Sequence, residues 1–182
     1  MLVVPTILKE IETVLSQVAE EELQQVALEM QKAKRIFIIG EGRSGLMAKS
    51  FAMRLMHLGA TVYVVGETIT PSIAGGDLLV AVSGSGTTKS VVWKAEKTQS
   101  LGCSVIAVTT NPESALVVSA TKVLHVPAAT KYRRENELQT IQPLGSLFDQ
   151  CVHILFDTIC LLFSKLNEVD HTAAFGRHSN LE

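Results

Sequence analysis

The chain has 182 residues, of which 47% are hydrophobic, 19% charged and 5% aromatic. This length and composition are typical of one folded domain and exclude a disordered or fibrous chain. Sixteen basic and 18 acidic side chains give a formal charge of −2, so the chain lacks the positive field that holds nucleic acid or an anionic membrane surface.

The predicted elements begin with one or two amphipathic helices, because apolar residues recur at helical spacing from Thr6 to Gln31. Five short apolar runs follow, as in parallel strands covered on both faces. These runs are Arg35–Ile39, Thr61–Val65, Leu78–Val82, Ser104–Val108 and Lys122–Val126. Helices are predicted over Ser44–Leu58 and Thr88–Leu101, each followed by a C-capping glycine, and a last helix over Ser146–Leu166.

This alternation predicts an α/β fold: a flavodoxin-like, doubly wound five-stranded parallel sheet with N-terminal amphipathic helices. We expect a single domain over 1–182, divided into an N-terminal helical segment (1–33), the sheet and its helices (34–166) and a C-terminal tail (167–182). Ligands of such sheets bind at the carboxyl ends of the strands. Functional residues are therefore expected directly after strands.

A glycine-rich loop follows the first strand, with the sequence GEGRSG from Gly40 to Gly45. It matches the G-x-G-x-x-G dinucleotide fingerprint, and Glu67 lies near the position of a ribose-binding acid. Leu46 stands where a Walker loop requires lysine. This loop alone is equally consistent with contact to a sugar phosphate and with a plain tight turn.

A second loop, SGSGTT from Ser83 to Thr88, follows the third strand and also leads into a helix. Glycines allow close approach of the backbone to a ligand, helix N–H groups favour an anion, and hydroxyls add neutral donors. The pattern favours phosphate binding over a structural turn with Thr88 as N-cap. Adjacent first and third strands would bring both loops to one crevice.

The motifs together resemble the SIS (sugar isomerase) domain family, and more narrowly its 6-phospho-3-hexuloisomerases. The motifs that carry the resemblance are Gly42–Leu46, Met53–His57, Ser83–Thr88, Thr110–Ser114, Gly145–Phe148 and Asn180–Glu182. The resemblance implies interconversion of D-arabino-hex-3-ulose 6-phosphate and fructose 6-phosphate, in the ribulose monophosphate pathway of formaldehyde fixation. It also implies a homotetramer with active sites near subunit boundaries, and no cofactor.

The resemblance further implies that a set of loop residues binds the substrate, with Gly84 and Gly86 contributing backbone groups. The set is Ser44, Ser83, Gly84, Ser85, Gly86, Thr87 and Thr88. The family's proton acceptor is a glutamate, and this sequence has Asp149 there. Its side chain is shorter by one C–C bond, about 1.5 Å. Asp149 has a competing interpretation as the acidic member of a capping box that begins at Ser146.

Moving a carbonyl between C3 and C2 requires a base for the carbon-bound proton and a second group that polarises the carbonyl or relays protons. The candidates are Asp149, Glu67 and Glu41 for the base, and His57, His178 and Arg43 for the second group. Glu41 is expected to point away from a phosphate, and His57 lies at the helix end opposite the crevice. His178 lies in the C-terminal tail and is a candidate for handling protons or opening the sugar ring, in its own or an adjacent subunit.

The run Lys131-Tyr132-Arg133-Arg134 is followed by two glutamates, so its local charge nearly cancels. We interpret it as a solvated loop, with a flap or an intersubunit salt-bridge segment as the alternative. It is not a nucleic-acid patch.

Membrane insertion, secretion and metal binding are not expected. The longest apolar run, Cys151–Phe163, is interrupted by polar residues, and no basic region precedes the first apolar residues. Three widely spaced cysteines indicate reduced thiols in a cytoplasmic protein, and no Cys or His pair has zinc-ligand spacing. The mean hydropathy of the chain, +0.28, is high for a soluble monomer, and many of the apolar residues lie on the last helix. This excess predicts helix-mediated oligomerisation.

Two other classes of function remain open. A non-catalytic sugar-phosphate sensor would use the same loops, although sensors with similar domains normally carry a helix-turn-helix domain as well. A nicotinamide-dependent oxidoreductase would use the first loop and Glu67, but the chain has little room for a substrate domain. Isomerisation of another phosphosugar is a further alternative.

Overall fold

The computed structural model describes residues 2–135 and 137–181. Two N-terminal helices precede a sheet whose strands alternate with helices, and a short helix lies in the C-terminal tail. The helices are α1 (Val3–Leu15), α2 (Glu20–Lys32), α3 (Gly42–His57), α4 (Lys89–Ser100), α5 (Ala115–Val118), α6 (Ser146–Leu166) and α7 (His171–Phe175). The strands are β1 (Ile36–Gly40), β2 (Val62–Val64), β3 (Leu78–Val82), β4 (Ser104–Thr109) and β5 (Lys122–His125).

The five strands form one parallel sheet in the order β2-β1-β3-β4-β5. This is the flavodoxin-like order predicted from the sequence. Gly40, the last residue of β1, pairs with Val82, the last residue of β3. The two glycine-rich loops therefore begin side by side at the carboxyl edge of the sheet.

Helices cover both faces of the sheet, as the continuous apolar strands predict. One face packs against α1, α2, α3 and α6, and its core includes Phe51, Leu55 and Phe156. The other face packs against α4 and α5 around a smaller core that includes Phe37 and Val91. The connection from β2 to β3, residues 65–77, contains no helix within the described part of the chain.

The helix α6 corrects one expectation. Its apolar residues predicted a helix from another subunit, but most of them are buried inside this chain against α1, α2 and α3. By length and composition α6 could also cross a membrane, yet its burial is that of a core helix. The apolarity of α6 thus has a largely intrachain cause, and helix-mediated oligomerisation stays a prediction.

The predicted tail begins as a turn after α6 and contains α7, which the sequence did not indicate. It docks on the end of α3, where Arg177 Nη1 donates a hydrogen bond to the carbonyl of His57 at 3.3 Å. Glu182, the last residue of the tail and of the terminal motif, lies outside the described residues.

The first glycine-rich loop is a point of very close backbone packing. A Cβ on Gly45 would lie 2.7 Å from the carbonyl oxygen of Gly40, and one on Gly40 would lie 2.9 Å from the carbonyl oxygen of Ser44. The strand β1 and the first turn of α3 can approach this closely only with glycine at both positions.

We expect Gly45→Ala to lower the free energy of unfolding by about 1–3 kcal/mol, because the new methyl group meets rigid backbone. Gly75→Ala is the control, since a Cβ there meets nothing within 4 Å. Urea denaturation of both variants measures the difference. Equal stability of the two variants would show that a Cβ at residue 45 fits between β1 and α3.

Candidate functional site

A cavity of about 270 Å³ opens at the carboxyl edge of the sheet, between the N-terminal ends of α3, α4 and α6. Three helix N-termini carry partial positive charge and unpaired amides, which favours an anionic ligand there. The lining residues are Glu41, Arg43, Ser44, Val82, Ser83, Gly84, Ser85, Thr88, Thr130, Lys131, Tyr132, Leu144, Gly145, Phe148 and Asp149.

The second loop, Ser83–Thr88, forms one wall of this cavity. The hydroxyls of Ser83 and Thr88 lie 2.8 Å apart, and the Gly86 amide donates to Ser83 Oγ at 3.1 Å. Thr88 is the N-cap residue of α4, but its side chain makes no capping hydrogen bond. Its hydroxyl pairs with Ser83 instead, so Thr88 occupies the N-cap position without acting as a side-chain cap.

Two glycines in this loop lie close to neighbouring side chains. Gly86 has a φ of +66°, and a Cβ there would collide with the Ser114 side chain. A Cβ on Gly84 would lie 3.1 Å from the ring of Phe148. Gly86 and Thr87 do not line the cavity, and Thr87 donates through its amide and its hydroxyl to Ser85 Oγ. Gly86 and Thr87 therefore stabilise the conformation of the loop, and their predicted direct contact with a ligand stays a prediction.

Asp149 lies in the first turn of α6 and is only 5% exposed. Its carboxylate accepts a hydrogen bond from Ser44 Oγ at 3.0 Å and lies 3.3 Å from Nε of Arg43. Burial raises the pKa of Asp149 above its ordinary value, and the Ser44 hydrogen bond and the Arg43 charge offset this only in part. The site thus holds one carboxyl group that binds a proton more readily than a surface aspartate.

The capping-box interpretation of Asp149 is wrong. The N-cap residue of α6 is Gly145, and no side chain caps this helix. The Ser146 hydroxyl instead accepts a hydrogen bond from Arg43 Nη1 at 2.6 Å. Both side chains of the supposed box are therefore directed toward α3, across the cavity.

The structure separates the other predicted catalytic residues from Asp149. Glu67 is exposed in the turn after β2 and does not line the cavity, because β2 lies at the edge of the sheet and the chain turns away after it. His178 stacks on His57, with ring centroids 5.1 Å apart, in a second cavity beside α7. Burial lowers the pKa of His57, with further contributions from His178 and Arg54.

Glu41 lines the cavity, contrary to the expectation that it points away. Its carboxylate accepts a hydrogen bond from Ser90 Oγ at 2.7 Å, which links the first loop to α4. Of the three candidates for the second group, only Arg43 lies beside Asp149 within one chain.

Sequence reasoning missed part of the cavity wall, namely Thr130 and Leu144 in the loop between β5 and α6. Lys131 and Tyr132 are solvent-exposed, as the solvated-loop interpretation of this run predicts, and they also line the cavity, so the flap alternative stays open. The only signal in the sequence was the cluster of basic residues. The following glutamates obscured it.

The geometry supports proton transfer next to a bound anion. Hydroxyls and helix amides can hold the anion, a buried carboxylate can accept a proton, and a guanidinium can stabilise negative charge that develops beside it. Among residues 2–135 and 137–181, no group of three His, Cys, Asp or Glu side chains could hold a metal ion.

The sequence and the fold of this chain are similar to those of known sugar-phosphate isomerases. The SIS domain model matches residues 29–154. The 3-hexulose-6-phosphate isomerase of Bacillus subtilis is 42% identical over 98% of this chain and 97% of its own length. The isomerase of the same name from Mycobacterium gastri is 40% identical over 92% of this chain and 83% of its own. A Methanococcus jannaschii crystal structure, interpreted as a 3-hexulose-6-phosphate isomerase, has a TM-score of 0.86, 32% identity and full coverage of both chains.

The buried charge of Asp149 predicts a pH-dependent effect of Asp149→Asn on stability. The native state holds the Asp149 proton to a higher pH than the unfolded chain, in which aspartate titrates near ~3.9. The wild type therefore loses stability relative to the variant as the pH rises through the native pKa. We expect the wild type and Asp149→Asn to have equal melting temperatures near pH 3, where Asp149 is protonated in both the native and the unfolded state. At pH 7 we expect the variant to have the higher melting temperature.

Thermal denaturation of the wild type and the Asp149→Asn variant across this pH range measures the effect. A variant that is less stable than the wild type at pH 7 would show that the Ser44 and Arg43 contacts outweigh the burial of the charge.

Proposed function

The chain belongs to the SIS domain family, and on that premise we propose that it interconverts D-arabino-hex-3-ulose 6-phosphate and D-fructose 6-phosphate. Its relationship to enzymes at 40–42% identity makes it an isomerase. We further propose that this reaction belongs to the ribulose monophosphate pathway of formaldehyde fixation, and that the residues of the cavity have the roles given below.

The observation that carries the proposal is the position of Asp149 beside the Ser83–Thr88 loop in one cavity. A phosphate bound by the loop anchors one end of a hexulose phosphate. The buried carboxylate then faces the carbon chain, where a base is required. Binding alone would not require a carboxylate, because a buried negative charge weakens the binding of an anion.

In the proposed reaction, Asp149 removes the proton from C2 of the 3-ulose, and the electron pair moves into the C2–C3 bond while the C3 oxygen gains negative charge. A proton passes from the C2 oxygen to the C3 oxygen. Asp149 then returns its proton to C3, which leaves the carbonyl at C2. Ser44 orients the carboxylate, and Arg43, next to Asp149, stabilises the enediolate.

The same contacts weigh against the two alternative functions. A sugar-phosphate sensor has no use for a proton acceptor, whereas Asp149 is held in the cavity by Ser44 and Arg43. A dinucleotide site would need Glu67 near the first loop, but Glu67 is exposed and outside the cavity. An isomerase of another phosphosugar differs only in which carbon it deprotonates.

Proton exchange in deuterated water tests the reaction directly. We expect the protein to exchange the C3 proton of fructose 6-phosphate, because a 2,3-enediol forms, and to produce the 3-ulose, as followed by ¹H NMR. Asp149→Asn should slow this exchange by about 10²–10⁴-fold, the usual contribution of a general base. The control, Glu96→Gln, removes an exposed carboxylate of α4 and should exchange at the wild-type rate.

The outcomes separate the candidate functions. Exchange at C1 in place of C3 would indicate an aldose–ketose isomerase of another phosphosugar. Binding of fructose 6-phosphate without any exchange would indicate a sensor. Full activity of Asp149→Asn would remove Asp149 from the mechanism.

We also propose a homotetramer in which His178 serves the active site of a neighbouring subunit. Within one chain His178 lies in a different cavity from Asp149, so a role for it requires a second copy. The tail is docked on its own α3, which presents His178 at the surface of the subunit, beside exposed Phe175.

Mixed oligomers test this arrangement. An equimolar mixture of Asp149→Asn and His178→Ala subunits, unfolded and refolded together, should regain about a quarter of the wild-type rate, because half of the pairs have one intact site. Each variant refolded alone should stay inactive. No recovery in the mixture, with oligomers confirmed by light scattering, would show that His178 acts in its own subunit. Activity of His178→Ala refolded alone would show that His178 has no role.

A further inference from the structure

We propose that Lys131 is the cationic ligand of the substrate's phosphate, an inference that rests on the proposed function of the same cavity. Lys131 lies in the loop between β5 and α6 and lines the cavity together with Ser83, Ser85 and Thr88. The Ser83–Thr88 loop supplies only neutral donors, and a phosphate dianion in a partly closed cavity favours a positive charge nearby.

Lys131 is the cation of this cavity that the protein's own acids do not occupy. Arg43 is engaged by Asp149 and Ser146. In the described part of the chain, Lys131 has no carboxylate within 4 Å, and its ammonium group lies over the ring of Tyr132, 5.2 Å from the centroid. The ammonium group is therefore available for an incoming anion.

The neighbouring cations of the loop are used to build the loop itself. Arg133 donates to the carbonyl oxygens of Thr130 and Gln142, and it has a φ of +49°, a left-handed conformation that costs energy for a residue other than glycine. Arg134 lies 3.7 Å from Glu137. The strained turn at Arg133 is thus fixed by hydrogen bonds, and Lys131, two residues before it, lines the cavity.

The base of the turn is fixed as well. Thr130 is buried and donates through its amide and hydroxyl to Glu137, at 2.8 and 2.6 Å. The far end of the loop is held by Glu10 of α1, whose carboxylate accepts hydrogen bonds from Thr140, Ile141 and Gln142. A loop that is fixed at both ends positions a lysine at lower entropic cost than a free surface loop does.

The position of Lys131 predicts an effect on binding more than on chemistry. Lys131 is exposed at the rim of the cavity, whereas the proton transfers take place at buried Asp149. We expect Lys131→Met to raise KM for fructose 6-phosphate by about tenfold and to leave kcat within about twofold. The inhibition constant of inorganic phosphate should rise by a similar factor. Lys131→Arg, which keeps the charge, should restore most of the affinity.

The matched control is Lys165→Met, which removes an exposed lysine from the opposite end of α6. Its KM and its phosphate inhibition should equal those of the wild type. Unchanged KM and phosphate inhibition in Lys131→Met would overturn the inference while the proposed function stands. A fall in kcat at constant KM would also overturn it, because Lys131 would then act on the enediolate.

A separate binding measurement distinguishes failure of this inference from failure of the proposed function. If the wild type does not isomerise fructose 6-phosphate, the proposed function fails, and calorimetric titration with inorganic phosphate still tests Lys131. Weaker binding of phosphate by Lys131→Met than by Lys165→Met supports the inference. Equal binding by the two variants overturns it.

Discussion

The site depends on the contact between the N-terminal turns of α3 and α6. Ser44 and Arg43 on α3 reach Asp149 and Ser146 on α6 across the cavity, although the contacting residues are more than a hundred positions apart in the sequence. The contact holds a buried carboxylate whose charged form burial disfavours. Burial of the rest of α6 against α1, α2 and α3 fixes the helix in place and offsets that cost.

The sequence was sufficient for the elements in which local pattern and tertiary environment agree. The bounds of β3 and α6 coincide with prediction, because a fully buried strand and a long apolar helix give continuous signals. The two glycine-rich loops were located for a similar reason: glycine tolerates contacts and φ values that other residues do not. Placing both loops in one crevice needed only the flavodoxin-like strand order.

The remaining features depend on partners that are distant in the sequence. A capping box and a catalytic base would both place an acid three residues after Ser146, and only the position of Ser44 distinguishes them. An apolar helix does not reveal whether its partners lie in the same chain, and for α6 most of the apolar side chains have partners within this chain. The loop that carries Lys131 to the rim of the cavity is held by hydrogen bonds from Arg133 to Thr130 and Gln142, and no local sequence pattern encodes these contacts.

Glu10 of α1 holds one wall of the cavity through hydrogen bonds with the loop between β5 and α6, and α1 lies outside the residues that the SIS domain model matches. Burial alone would raise the pKa of Glu10, but the hydrogen bonds from Thr140, Ile141 and Gln142 lower it below its ordinary value. The ionised carboxylate of Glu10 is therefore the form that holds the loop. The family match begins at residue 29, after α1 has ended. A fragment trimmed to residues 29–154 would contain the Ser83–Thr88 loop, Lys131 and Asp149, yet it would lack the Glu10 contacts that hold one cavity wall. The N-terminal helix α1 is therefore part of the structure that supports the cavity wall.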